Sequence, residues 1–309
     1  MKNTHWRNKT TAFDIINMTL LGMFAVICLY PFVNMLALSL NTGIDSMRGG
    51  IYLWPRELTF ANYIVVLRNS YVITAYRVTI LRTVIGTLSM LTVTAMVAYG
   101  LSERALPGKK IIMTYLLITM FFSGGLIPGF LVLRAVGLIN TFWVYIIPGM
   151  FSVWTCIVMK TSFQGIPESL KEAIRIDGGN EFTIIKHVVL PISKPMFAAL
   201  ALFAAVGHWN EWFTGMYFVR SNDLVPVQTY LMQIMNNDIT SMSEKVQQQG
   251  TAVVQGQMAE LLGSGGIARI TSQSLKMAIV VIGTAPILMV YPFLQKYFVK
   301  GVLIGSLKE

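Results

Sequence analysis

Six apolar runs divide this chain, each near the roughly 20 residues a helix needs to cross a hydrocarbon core. They are 15–40, 78–101, 111–133, 141–159, 196–219 and 277–298. None alternates strictly between apolar and polar residues, so helices are expected rather than barrel strands. The 309 residues are 54% hydrophobic and 12% charged. That leaves too little polar surface to wrap so much apolar sequence in water. The expected fold class is an all-α membrane protein with about six transmembrane helices. Pro31, Pro128, Pro148, Pro286 and Pro292 lie within or beside the runs, which membrane helices tolerate when neighbours re-satisfy the freed carbonyls. The first run is too long for a signal-peptide core and no clear cleavage site flanks it, so it reads as a retained span.

A net charge of +10 would suggest nucleic acid in a soluble protein. Here the basic residues fall mostly in the connections between runs, and they set orientation instead. Lys2, Arg7 and Lys9 precede the first run; Arg104, Lys109 and Lys110 follow the second. Lys160, Lys171, Arg175, Lys186 and Lys194 lie between the fourth and fifth, and Lys296, Lys300 and Lys308 mark the C-terminal tail. These four segments belong on one side, which places both termini inside. Arg77 and Arg82 sit at the outer end of the second run, where snorkelling to the headgroups accounts for them. The expected organisation is a cytoplasmic tail over 1–14 and one transmembrane domain over 15–309, with an inner loop 160–195 and a long outer loop 220–276. A short helix is a candidate at 227–235 within that outer loop.

Several chemistries lack their residues. Cys28 and Cys156 lie in apolar runs with no disulfide or zinc spacing. His5, His187 and His208 are isolated and make no metal set. There is no G-x-x-x-x-G-K-[ST] loop, and Gly108-Lys109-Lys110 is only a basic turn. No nucleophile and base are paired, so no enzyme is expected, and no cofactor on this chain.

The inner loop is the most informative segment. Pro167 and Glu168 suit a helix start. Leu170, Ala173 and Ile174 recur at helical spacing, and Gly178-Gly179 stops the helix. Asn180 is placed to cap a second helix through 182–189, and Pro191 breaks the pattern again. Periodicity leaves two readings of the first helix: lying in the lipid interface, or docking into a partner.

Glu172-Ala173-Ile174, Gly178 after three further residues, and Val188-Val189-Leu190-Pro191 after nine more resemble the E-A-A-x3-G-x9-I-x-L-P loop of ABC importer permeases. Ile174 stands for alanine and Val188 for isoleucine, apolar for apolar. The resemblance covers nearly the whole chain and is nearest the second permease subunit of the maltose-type carbohydrate importers. It rests also on Phe122-Ser123-Gly124-Gly125-Leu126-Ile127-Pro128, on Trp209-Asn210-Glu211-Trp212-Phe213, and on the tail from Lys300 to Lys308. The first of these is similar to a subgroup importing alginate and pectin fragments.

The resemblance implies a type I importer permease in a bacterial cytoplasmic membrane. It implies a second related permease, two ATPase subunits that hold the ATP and Mg, and an external substrate-binding protein. Glu172, Ala173, Ile174, Asp177, Gly178, Leu190 and Pro191 would couple to the ATPase, and Gly301, Gly305 and Lys308 would touch it through the tail. His208, Trp209, Asn210, Glu211 and Trp212 are candidates for a sugar pathway or gate, because aromatics stack on sugar faces and carboxylates accept hydroxyl donors. Glu211 is the one acid inside an apolar run. The bland alternative for this group is an interfacial aromatic belt. Arg77 and Arg82 would attract acidic sugars if they formed a cationic mouth. A permease for another solute remains open, as does an ion-coupled carrier. A carrier would require inverted repeats with paired broken helices and more charges buried at mid-membrane, and the sequence shows no such pairing.

Overall fold

The computed structural model describes residues 12–103, 105–236, 270–271 and 273–289. These residues are helical or connect helices, and one isolated antiparallel bridge joins Asn41 to Leu58. They fall into two compact units, one of residues 12–69 and 270–282, the other of residues 70–236 and 283–289.

The first unit begins with α1 (Ala12–Ser39), whose 28 residues include Pro31. At about 1.5 Å per residue it is long enough to span a bilayer core. Its apolar side chains are exposed along almost its whole length. The chain then turns through α2 (Gly43–Met47) to α3 (Ala61–Arg68), held by buried amides. Asn41 donates to Asp45 Oδ2 at 3.0 Å and accepts from the Glu57 amide at 2.7 Å. Asn62 donates to the carbonyls of Ser39 and Asn41, while its oxygen accepts from Ser274 at 2.9 Å.

The second unit is organised around α4 (Ser70–Ser102), 33 residues long. After it come α5 (Lys109–Phe121), α6 (Leu126–Ala135), α7 (Val153–Gln164) and α8 (Glu168–Ile176). Next, α9 (Glu181–Ile184) runs through a π turn, Ile185–Val189, into the single turn α10 (Leu190–Ile192). Then come α11 (Lys194–Asn210), α12 (Phe213–Phe218) and α13 (Val227–Asn236). A last helix, α14 (Gln273–Met289), contributes residues to both units. In one core cluster Ala98, Tyr99 and Leu101 of α4 meet Cys156, Met159 and Phe163 of α7, with Ile184, Val188, Val189 and Leu200. In the other, Val78 joins Val144, Tyr145, Ile146, Phe218 and Val219.

Apolar length alone did not predict straight helices. The run 111–133 is two helices, α5 and α6, meeting at 115°. The break falls at Gly125, with φ 84° and ψ −175°, a backbone region that only glycine enters freely. The run 141–159 opens with 3₁₀ turns at Phe142–Tyr145 and Ile147–Gly149, and bends 46° before α7. Before Pro191, the ring and the missing N–H disturb the i−4 ladder, and the helix relaxes into the π turn. The axis bends 80° where α11 begins. Among the described residues two helices, α1 and α4, are long and apolar enough to span alone, and up to five spans exist if each bent pair counts as one. The expectations placed on the N-terminal basic residues, Arg104, most of 220–276, and Gly301, Gly305 and Lys308 lie outside the described residues.

Candidate functional site

Two places in the second unit gather buried charged side chains. The first surrounds α8. Its end is a Schellman motif: Gly179 N–H donates to the Ile174 carbonyl at 2.8 Å and Gly178 N–H to Arg175 at 3.1 Å. Gly178 supplies the required φ of +80°. A Cβ on Gly179 would collide with Ile174, so both glycines are needed for different reasons. Asn180 then caps α9 by accepting from the Thr183 amide at 2.9 Å.

The inward side of α8 differs from the one the periodicity suggested. Ile174 packs against the core, but Leu170 and Ala173 are exposed, and the residue turned inward with Ile174 is Lys171. Its side chain is 4% exposed, with Nζ 2.8 Å from Glu103 Oε1, 3.4 Å from Glu168 Oε2 and 5.9 Å from the centre of the Tyr99 ring. Arg175 reaches Glu181 at 3.0 Å, Glu168 at 3.3 Å and Glu103 at 3.8 Å. The Tyr99 hydroxyl donates to Glu181. Inward burial of a charged residue is tolerable because carboxylates wait for it. The outward side presents Glu172, Ala173, Ile176, Asp177 and Gly178, followed by Phe182. Ile176 is 85% exposed and Phe182 71%, which is unusual for large apolar side chains beside charged ones. Leu190 and Pro191 are also exposed.

The Tyr99 hydroxyl, and after it the Arg175 guanidinium, hold the Glu181 carboxyl below its ordinary value of 4.5. A depressed carboxylate stabilises the fold above its unfolded pKa and loses that contribution as pH falls through the folded value. Amide exchange in α8 and α9, corrected for intrinsic rate, is therefore expected to be flat from about pH 5 to 8 and to accelerate below about pH 4.

The second place is a buried ion pair at the break between α11 and α12. Arg82 is 1% exposed and its Nη1 lies 3.0 Å from Glu211 Oε2. Its Nη2 donates to the carbonyl of Glu211 at 2.6 Å and to that of His208. Its guanidinium carbon lies 5.1 Å from the centre of the Tyr145 ring. Glu211 Oε1 accepts from the Thr214 amide at 2.6 Å. Arg82 thus satisfies carbonyls left open where α11 ends, and Glu211 satisfies an amide left open where α12 begins. The snorkelling expected of Arg82 is overturned, since its charge is neutralised from within; Arg77, by contrast, is exposed.

The other residues of the 208–212 stretch diverge. Trp209 is buried, donates to the Gly283 carbonyl at 3.1 Å and meets Tyr76 edge-on. Asn210 is exposed and donates to the Val206 carbonyl. Trp212 is half-buried against Phe213. The His208 ring sits over Gly86, where a Cβ would stand 2.6 Å from it. Sequence reasoning missed Tyr145, Gly86, Lys171, Glu103, Tyr99 and Glu181. The contacts that bring α4 to these residues, Lys171 to Glu103 and Tyr99 to Glu181, join positions 68 and 82 apart, too far for spacing to reveal them. Among the described residues no three His, Cys, Asp or Glu converge on a metal position.

Apolar helices of spanning length, several of them broken, and an ion-paired amphipathic helix beside them define a helical membrane protein. The chain belongs to the family described as the binding-protein-dependent transport system inner membrane component, whose model matches residues 72–304. It is 37% identical over 300 residues to the polygalacturonan/rhamnogalacturonan transport system permease protein YtcP of Bacillus subtilis, covering 97% of this chain and 99% of that one. It is 34% identical to the protein LplC of the same organism across the full length of both. Among solved structures, a chain of a bacterial ABC transporter that imports the acidic polysaccharide alginate superposes with a TM-score of 0.82 at 29% identity, over 93% of this chain and 96% of that one. The broken helices and buried charges that a carrier would also show therefore occur here in an ABC permease.

Proposed function

We propose that this chain is one of two permease subunits of an ATP-driven importer that takes an acidic oligosaccharide from an external binding protein and passes it inward. The observation that carries the coupling is α8, whose outward side offers Glu172, Ala173 and Gly178 beside exposed Ile176 and Phe182. Such a mixed surface on a clamped helix fits a protein cleft better than lipid. The acidic class of sugar rests on relatives named for polygalacturonan and alginate transport. A binding protein as donor rests on the family description.

In this reading α8 and the loop 160–195 face the cytoplasm, as do both termini, and the region 15–309 is one permease domain. Glu172, Ala173, Asp177, Gly178, Leu190 and Pro191 form the contact with one of two ATPase subunits, which hold the ATP and Mg, while Ile174 seats the helix from within. Gly301, Gly305 and Lys308 add a second contact with it. The pathway runs past His208, Asn210 and Trp212, where exposed Asn210 is the side chain best placed to meet a sugar hydroxyl. Arg77 remains available to draw anions; Arg82 is committed to Glu211.

The test is ATP hydrolysis and uptake by the reconstituted complex, with its binding protein and galacturonate oligomers or neutral oligomers of equal length. Acidic oligomers are expected to stimulate both activities. Glu172→Lys, which reverses an exposed charge outside the clamp, is expected to abolish the stimulation while the subunit inserts normally. Uptake without ATP, or stimulation by a non-sugar solute alone, would overturn the reading.

A further inference from the structure

We propose that the cluster of Glu103, Lys171, Arg175, Glu181 and Tyr99 is a mechanical joint that makes α4 follow α8, so that movement at the ATPase contact reaches the α11–α12 break. This rests on the reading that α8 docks the ATPase.

The geometry gives the joint two properties. It ties α8 to two elements at once: Glu103 just beyond the end of α4, and Glu181 at the start of α9. Tyr99, one turn back on α4, closes the circuit by donating to Glu181 and lying under Lys171. It is also built of charge. Glu168 brings the carboxylates to three against two cations, and Lys171 is nearly water-free. An apolar contact tolerates sliding by a fraction of a turn, whereas a buried ion pair does not, because a displaced Lys171 would be left desolvated without a counter-charge.

What α4 carries farther back along its length supplies the reason. Arg82 lies about 26 Å from Tyr99 along the same unbroken helix, at about 1.5 Å per residue. There it holds the carbonyls of His208 and Glu211 and the Glu211 carboxylate. One continuous helix therefore has an ion-paired grip on the docking helix at its C-terminal end and, about 26 Å back along its axis, on a broken helix of the pathway. Lys171, Glu103 and Tyr99 are positioning residues in this scheme and touch neither sugar nor nucleotide.

Contiguity alone does not demonstrate transmission, so the test measures coupling. Lys171→Met keeps the length of the side chain and removes the charge. In proteoliposomes of the whole complex, it is expected to lower sugar taken up per ATP by about fivefold or more. Hydrolysis measured without the binding protein should stay near the wild-type rate. The exchange Glu103→Lys with Lys171→Glu rebuilds the pair in reverse and should recover much of the ratio. That control separates a joint from a merely folded loop. An unchanged ratio in Lys171→Met, with a transporting wild type, overturns the joint alone. So does a parallel loss of hydrolysis and uptake that the charge exchange does not repair. A wild-type complex without ATP-driven uptake overturns the permease reading and the joint with it.

Discussion

Glu211→Gln is expected to lower the stability of the permease by about 3 kcal/mol, read as a lower unfolding midpoint in detergent. The cost arises on Arg82, which keeps its charge at 1% exposure and loses its only carboxylate among the described residues. Breaking a buried pair from one side costs about 3–5 kcal/mol. The lower end applies because the carbonyls of His208 and Glu211 still accept from Nη2 and Tyr145 still faces the guanidinium. Adding Arg82→Met to the same chain removes the stranded charge. The double replacement should therefore cost less than the sum of the single ones, by about 1–3 kcal/mol. Strict additivity would mean that the pair contributes nothing as a pair, and the splice between α11 and α12 would need another explanation.

Gly215→Val should cost about 2–3 kcal/mol and loosen α12 from α13. A Cβ at Gly215 would stand 3.0 Å from both Pro226 Cδ and Thr229 Cβ, and closer still to Thr229 Oγ1. None of these atoms can swing away cheaply. The Pro226 ring is fixed, and Thr229 is fully buried with its hydroxyl donated to the Trp212 carbonyl at 2.8 Å. The helices must move apart instead. Thr229→Ala deletes the nearest of the three atoms, so combined with Gly215→Val it should restore part of the loss. Thermal unfolding of the four chains measures this, and faster proteolysis near residue 227 in Gly215→Val would report the loosening directly. Equal stability of Gly215→Val and wild type would mean that the close approach of α12 and α13 is not a real constraint.

Much of this molecule is legible one residue at a time. The glycines that end α8, the Asn180 cap, the helix at 227 and the general placement of apolar helices follow from local rules, because helices, caps and turns are built from neighbours in sequence. The family loop was legible for the same reason: its residues, Glu172 to Pro191, are near neighbours in sequence. Glu211 stood out as a lone acid in an apolar run, and a lone acid has to be answered by something.

Sequence could not say what answers it. Arg82 lies 129 residues before Glu211, and Glu103 lies 68 before Lys171. Hydropathy placed Arg82 at a membrane rim because it scores a residue by its chain neighbours, whereas burial depends on which helices pack around it. The bend at Gly125 escaped the same measure, since a window that averages apolarity ignores φ, whereas the disturbance at Pro191 was legible from the residue itself. The sequence by itself determined the solvent of this chain and its helical class, both of which depend on composition and local spacing. Only the tertiary structure decided which charges are paired and which helices are broken, because those follow from long-range packing that forces every buried polar group to find its complement.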